Sequence, residues 1–296
     1  MKVRDNMRFS EFRYVKIPFT LYDLFGYLLP GIFFFALFPI TYDAGAVLNV
    51  AVQYIRNQTV ADGASNQFFL LHFVDMVHES PWLIATYFIL VAYLLGHVIA
   101  ALSGFFLERI GVEKFLKYPA ANMFGLRTHE GSIEKNTFKI LKKIPWWDTI
   151  KQFIFRNYRR QYSDGFITAF NYKFAKRFSV EPNNPSDVFW LCFTFTSQNC
   201  PATFQRSSHF LNLYGFARNL SMMFFIFSAT IVGFEWSKGL PVNWWVAVGY
   251  AFLGIGFFWE YLKFFRRLND EVYRGFMCYV ATMDDDAEDF GPSTEE

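Results

Sequence analysis

Apolar and polar positions along this chain fall into long blocks rather than short alternating ones. Four blocks are apolar over about the 20 residues that a helix needs to cross a bilayer. They are residues 21–41, 82–107, 210–234 and 240–259. Asp23 is the one formal charge in the first, Arg218 the one in the third, and the second and fourth have none. A buried core helix of a soluble domain can imitate one such run. Four in a single chain predict four membrane spans.

Between the runs the pattern changes. Residues 42–81 form a long connection, in which Phe69, Phe73 and Met76 recur at helical spacing. That predicts an amphipathic helix over 66–80, lying on the membrane or capping an oligomer. Residues 108–209 are polar and aromatic, and read as mostly helical. Residues 109–118 continue the second span, 132–144 form an amphipathic helix, and 148–178 form a second helical stretch interrupted at Gly165. Two prolines and two asparagines make 181–186 a turn. Residues 188–196 suit a short strand or a buried helix. The expected fold is an all-α membrane protein, with four transmembrane helices and a mostly helical cytoplasmic domain inserted between spans two and three.

Charge turns this pattern into a topology. The N-terminal segment 1–20 carries Lys2, Arg4, Arg8, Arg13 and Lys16, whereas 42–81 carries only Arg56. Segment 109–209 carries sixteen Lys or Arg, the turn after span three only Lys238, and the chain after span four carries Lys263, Arg266, Arg267 and Arg274. Lys and Arg concentrate on the cytoplasmic side, so every span agrees on both termini inside. The first run is too long for a signal-peptide core and lacks a small-residue exit, so no cleavable signal is expected. The expected location is a bacterial inner membrane. Composition fits: 53% of residues are hydrophobic, 18% are charged, and Phe occurs 40 times. Cys192, Cys200 and Cys278 form no C-x-x-C pair and no framework of disulfides.

Features within the spans sharpen the picture. Pro30-Gly31 interrupts span one, as a packing kink or as a hinge. Gly96, Ala100 and Gly104 share one face of span two and permit close helix approach, and Gly249, Gly254 and Gly256 repeat the theme loosely in span four. Asp23, Glu108, Arg109, Arg218 and Glu260 fall near the inner ends of their helices. Arg218 lies eight residues into its run, about 12 Å along it at ~1.5 Å per residue. A charge there needs a partner, and Asp23 and Glu260 are the candidates. The group reads either as a structural salt bridge or as a ring of charge at a pore mouth. His97 reads as a polar residue within the bundle or as a proton relay.

Segment 109–209 has seven acidic residues against its sixteen basic ones, whereas 261–296 has nine acidic and four basic. Within the basic segment, Arg156, Tyr158, Arg159, Arg160, Tyr162, Tyr172, Lys173, Lys176 and Arg177 interleave cations with rings. Cations hold phosphates and rings stack on bases, so this pattern suits an oligonucleotide or a cyclic nucleotide. Three other readings stay open: positive-inside charge, binding of anionic membrane lipid, or buried rings with a solvated cationic face. The acidic stretch 284–289 reads as a solvated tail or as an autoinhibitory partner of the basic segment.

No phosphate-binding glycine loop, metalloprotease helix or nucleophile elbow occurs. Neither an enzymatic activity nor a cofactor or metal is therefore expected. The overall plan resembles the bestrophin channels in topology alone. The segments Asp23-Leu24-Phe25-Gly26-Tyr27-Leu28-Leu29-Pro30-Gly31 and Leu213-Tyr214-Gly215-Phe216-Ala217-Arg218-Asn219-Leu220 look like stretches of bacterial membrane proteins. The plan resembles the four-span effectors of antiphage defence operons, nearest of all the Hailong membrane effector. That resemblance implies a homo-oligomeric channel, an oligonucleotide ligand and a partner nucleotidyltransferase. A membrane anchor that recruits a soluble partner is the alternative, and a lipid-acting membrane enzyme a further one.

Overall fold

The structure, a computed structural model, describes residues 21–41, 80–125, 155–239, 241 and 243–288. The expected amphipathic helices over 66–80 and 132–144 lie outside the described residues. Every regular element among the described residues is helical. Helix α1 covers residues 21–41 and α2 covers 81–116. After them come α3 (Pro119–Phe124), α4 (Arg156–Arg159), α5 (Asp164–Phe178), α6 (Pro185–Asn199), α7 (Pro201–Ser237) and α8 (Trp244–Glu288). Four of these, α1, α2, α7 and α8, are long and apolar enough to cross a membrane.

Length explains the architecture. Helices α7 and α8 have 37 and 45 residues. At ~1.5 Å per residue, each is roughly twice as long as the ~30 Å hydrocarbon layer is thick. They run antiparallel, and beyond their apolar portions they carry the shorter helices. Trp82, Trp236, Trp244 and Trp245 are exposed at the opposite end of the bundle, where indole rings suit a membrane–water boundary.

Three aromatic-rich cores follow one another along this axis. Among the spans, Ile99, Leu220, Met223, Phe224 and Phe227 are buried, with Phe34, Phe38 and Tyr250 packed around them. At the ends of the spans away from those tryptophans, Val112, Leu116, Tyr158, Tyr214, Ala217 and Tyr261 form the second. Further out, Phe124 of α3, Phe170 and Phe174 of α5, Cys192 and Phe195 of α6, and Tyr273 and Phe276 of α8 form the third. Residues 188–196 thus belong to helix α6 rather than to a strand. Pro185 begins that helix, and Asn184 Oδ1 accepts the Ser186 amide at 3.1 Å, an N-cap contact. Of the stretch 148–178, residues 148–154 lie outside the described residues; the remainder breaks at 160–163 and not at Gly165, which lies in the first turn of α5.

Backbones touch where the glycines of spans one and two meet. A Cβ built on Gly31 would run into the Ala92 carbonyl, and one on Gly96 into the Tyr27 carbonyl. The two helices therefore pack at a distance that only glycine tolerates.

Candidate functional site

Polar side chains converge where α1, α2 and α7 leave the apolar region. The winding of α1 widens into π turns at Leu24–Leu28, and that of α2 does so at Gly104–Leu116. Such wide turns are rare and tend to mark functional positions. Glu108 lies in the second of them.

Glu108 accepts a hydrogen bond from Arg218 Nη1, and the two form an ion pair. Tyr214 lies one turn before Arg218. Its hydroxyl donates to Glu108 Oε2 at 2.9 Å and accepts from Arg218 Nη1 at 3.1 Å. The Arg218 guanidinium also sits 5.3 Å from the Tyr214 ring centroid, within cation–π range. Arg218 is 9% exposed. Two buried polar atoms here lack a hydrogen-bond partner among the described residues: Arg218 Nε and the Tyr261 hydroxyl.

The next residue, Asn219, ties three helices together. Its Nδ2 donates to the Gly26 carbonyl of α1, and its Oδ1 accepts from Ser103 Oγ of α2. Ser221 Oγ donates to the Gly254 carbonyl at 2.8 Å, and Ser228 Oγ to the Ala247 carbonyl at 2.9 Å, both joining α7 to α8. Where lipid surrounds the helices, contacts of this kind replace the hydrophobic driving force as glue.

This geometry corrects the expected partner of Arg218. Glu260 pairs instead with Lys263, one turn along α8, at 2.9 Å, and Asp23 lies half-buried at the start of α1. Arg218 is level with Glu108, just past the apolar run 82–107 of α2. The first turns of its apolar run pack on α8 beyond Glu260: Phe210 faces Phe264, and Tyr214 faces Phe265 at 4.9 Å between ring centroids. His97 stacks on Tyr27 at 3.8 Å and meets Tyr93 edge-on at 4.5 Å.

A cavity of about 500 Å³ opens beside the ion pair. Arg218, Glu108 and Tyr214 supply polar lining, and Tyr118, Phe189 and Trp190 are among its apolar lining. The helix-to-helix corner nearby is strained: Lys117, which ends α2, has φ 63° and ψ 155°, a region otherwise nearly reserved for glycine. The Lys117 carbonyl accepts hydrogen bonds from the Tyr158 hydroxyl at 2.9 Å and from Asn122 Nδ2 at 3.2 Å, which hold the corner.

The residues expected to bind ligand divide into two groups. Arg156, Arg159, Arg160, Lys176 and Arg177 are exposed, Lys173 is partly so, and they spread over α4, α5 and the intervening 160–163. Arg177 lies 5.2 Å from the Phe195 ring centroid. The two tyrosines serve the packing instead. Tyr158 is 5% exposed and bonds Lys117, while Arg266 Nη1 donates to its carbonyl at 2.7 Å. The Tyr162 hydroxyl donates to Asp270 Oδ1 of α8 at 2.6 Å, and Arg274 Nε donates to the same oxygen at 2.9 Å. Burial pushes the hydroxyl pKa of both tyrosines up, and the Asp270 hydrogen bond adds to the shift at Tyr162. Burial likewise pushes up the Cys192 thiol, so this cysteine is a packing residue rather than a nucleophile.

Tyr214, Asn219 and Ser103 were not singled out as site residues from sequence. One signal was available: Tyr214 and Arg218 lie four residues apart, hence on one face of a helix. No family model, curated protein or solved structure matches the chain.

Proposed function

We propose that this chain is the subunit of an oligomeric membrane channel or pore-forming effector, gated by an anionic ligand on its cytoplasmic side. The supporting observation is mechanical. Helices α7 and α8 run without a break from the outlying aromatic core into the spans, and the Glu108–Arg218 pair joins α2 to α7 at the crossing. A ligand that shifts α5 or α6 against α8 moves both spans as levers. The alternative arrangement of the pair, broken or repartnered, supplies the second state that a switch requires. The exposed cations of α4 and α5 offer a collecting surface for phosphates.

Ion flux from liposomes holding the purified full chain tests this reading, with and without added oligonucleotides and cyclic nucleotides. Flux that switches with one of them supports it. Folded and inserted protein that passes no ion under any of these ligands refutes it. Changing Arg159 and Arg160 to Glu should abolish ligand binding while membrane insertion persists.

A second reading is a membrane anchor that recruits a soluble partner through the same basic face. The structural use of Tyr158 and Tyr162 favours it, because it leaves Tyr172 as the one exposed ring among the residues 156–177 that interleave tyrosines with cations. Protein that stays monomeric in detergent and closed to ions would support the anchor.

A further inference from the structure

We propose that the cavity beside Arg218 binds an amphiphilic anion: one phosphate or carboxylate headgroup joined to an apolar or aromatic body. The inference concerns binding alone, and holds whether or not the chain conducts ions.

The polar side of the cavity sets the headgroup. Arg218 is nine-tenths buried and lines the cavity. Glu108 and the Tyr214 hydroxyl occupy its Nη1, while Nε is buried without an acceptor. Buried guanidinium N–H groups are rarely left unpaired, because desolvation without a hydrogen bond is costly. An oxygen acceptor entering the cavity, with a small shift of the side chains that cover Nε, would complete the set. Because Glu108 already balances the charge of Arg218, the site suits a singly charged headgroup rather than a polyanion such as a nucleic acid strand.

The aromatic lining sets the body. Phe189 and Trp190 of α6 and Tyr118 after α2 present rings to the cavity. Trp190 is 59% exposed, so a large apolar surface stands at the site with little of its own chain covering it. A volume of about 500 Å³ falls within the usual range for small-molecule sites. The position at the inner ends of the spans makes two sources of this chemistry reachable: a phospholipid from the adjacent leaflet, and a soluble phosphate ester.

The test uses the full chain in neutral detergent, with binding read by native mass spectrometry and by tryptophan fluorescence. Phosphatidylglycerol and adenosine 3′,5′-cyclic monophosphate, both phosphodiesters with a single negative charge, are the probes, and phosphatidylcholine is the zwitterionic control. Saturable binding of either probe, at least tenfold tighter than the control, is expected. Binding of the lipid alone assigns the site to the membrane, and binding of the nucleotide alone assigns it to a soluble ligand. Arg218→Lys keeps the charge but removes Nε as a side-chain donor, and should weaken binding at least tenfold. Trp190→Glu, at an exposed position that spares the fold, should do the same by repelling the anion. Arg159→Glu with Arg160→Glu should leave this binding unchanged. Absence of saturable binding by both probes overturns the proposal. So does unchanged binding in folded Trp190→Glu protein, or loss of binding only in the Arg159/Arg160 variant.

Discussion

Arg218 and the cations of α4 and α5 carry the same charge into opposite surroundings. Arg218 is enclosed by α2 and α7, with a carboxylate, a phenol and a ring assigned to it. Arg156, Arg159 and Arg160 stand exposed to water. In a low-dielectric interior a charge is tolerated only with specific partners, and removing one partner strands the other. On a surface, water supplies the partnership and a single pair contributes little. The same contrast divides α5 lengthwise. Phe166, Phe170 and Phe174 stack at successive turns against Tyr273 and Phe276, while Lys176 and Arg177 face outward. A sequence that interleaves rings with cations therefore describes a two-faced helix here, with Phe166, Phe170 and Phe174 turned to the core and Tyr172 left exposed beside the cations.

The contrast would break first at Arg218. Arg218→Ala leaves Glu108 without its partner and should cost about 3–5 kcal/mol. Arg159→Ala should change stability by less than about 0.5 kcal/mol. Thermal unfolding of the two variants in detergent checks this, and equal losses would contradict the distinction drawn here. Next in size is the contact between spans one and two. Gly96→Val pushes a side chain into the Tyr27 carbonyl and should cost about 1–3 kcal/mol through overpacking. Gly249 and Gly256 face open space, and alanine at either should be neutral or mildly stabilising in the same assay.

Tyr162→Phe probes the half-buried middle ground. Losing the hydrogen bond to Asp270 should cost about 1.5 kcal/mol. Its pH dependence is distinctive. Burial and Asp270 raise the Tyr162 pKa above the value of about 10 expected for the unfolded chain. The contribution is complete below about pH 10 and is lost as pH rises toward the folded value. The difference in melting temperature between the original protein and Tyr162→Phe should therefore narrow from about pH 10 upward. The smallest expected effect is a gain. Lys117→Gly relieves a left-handed backbone and should stabilise the fold by about 1 kcal/mol. A loss there would mean that the Lys117 side chain, rather than its backbone, holds the corner.

The legible parts of this molecule are those set by neighbours in sequence. The four spans could be read because apolar length is a local property, and the continuation of α2 past the membrane because no break signal intervenes before Lys117. The break at 160–163 was harder. Gly165 is the more conspicuous helix breaker, yet Tyr162 pins its segment to Met123 through a 2.9 Å backbone bond and to Asp270 through its hydroxyl. Those contacts lie far away along the chain.

The partner of Arg218 shows the division most clearly. Sequence alone determined that a charge stood in an apolar run and needed compensation, because burying an unpaired guanidinium costs too much in any fold. It also determined which helices are long enough to span. Only the tertiary structure decided that Glu108, 110 residues away, supplies the carboxylate, because that choice depends on how far α7 slides along α2. It likewise decided that Tyr158 and Tyr162 bond the backbone of Lys117 and the carboxylate of Asp270, since which face of a helix is covered depends on what packs there. The cavity exists for the same reason: side chains of α2, α6, α7 and α8 border it without filling the gap, and that depends on how these helices pack.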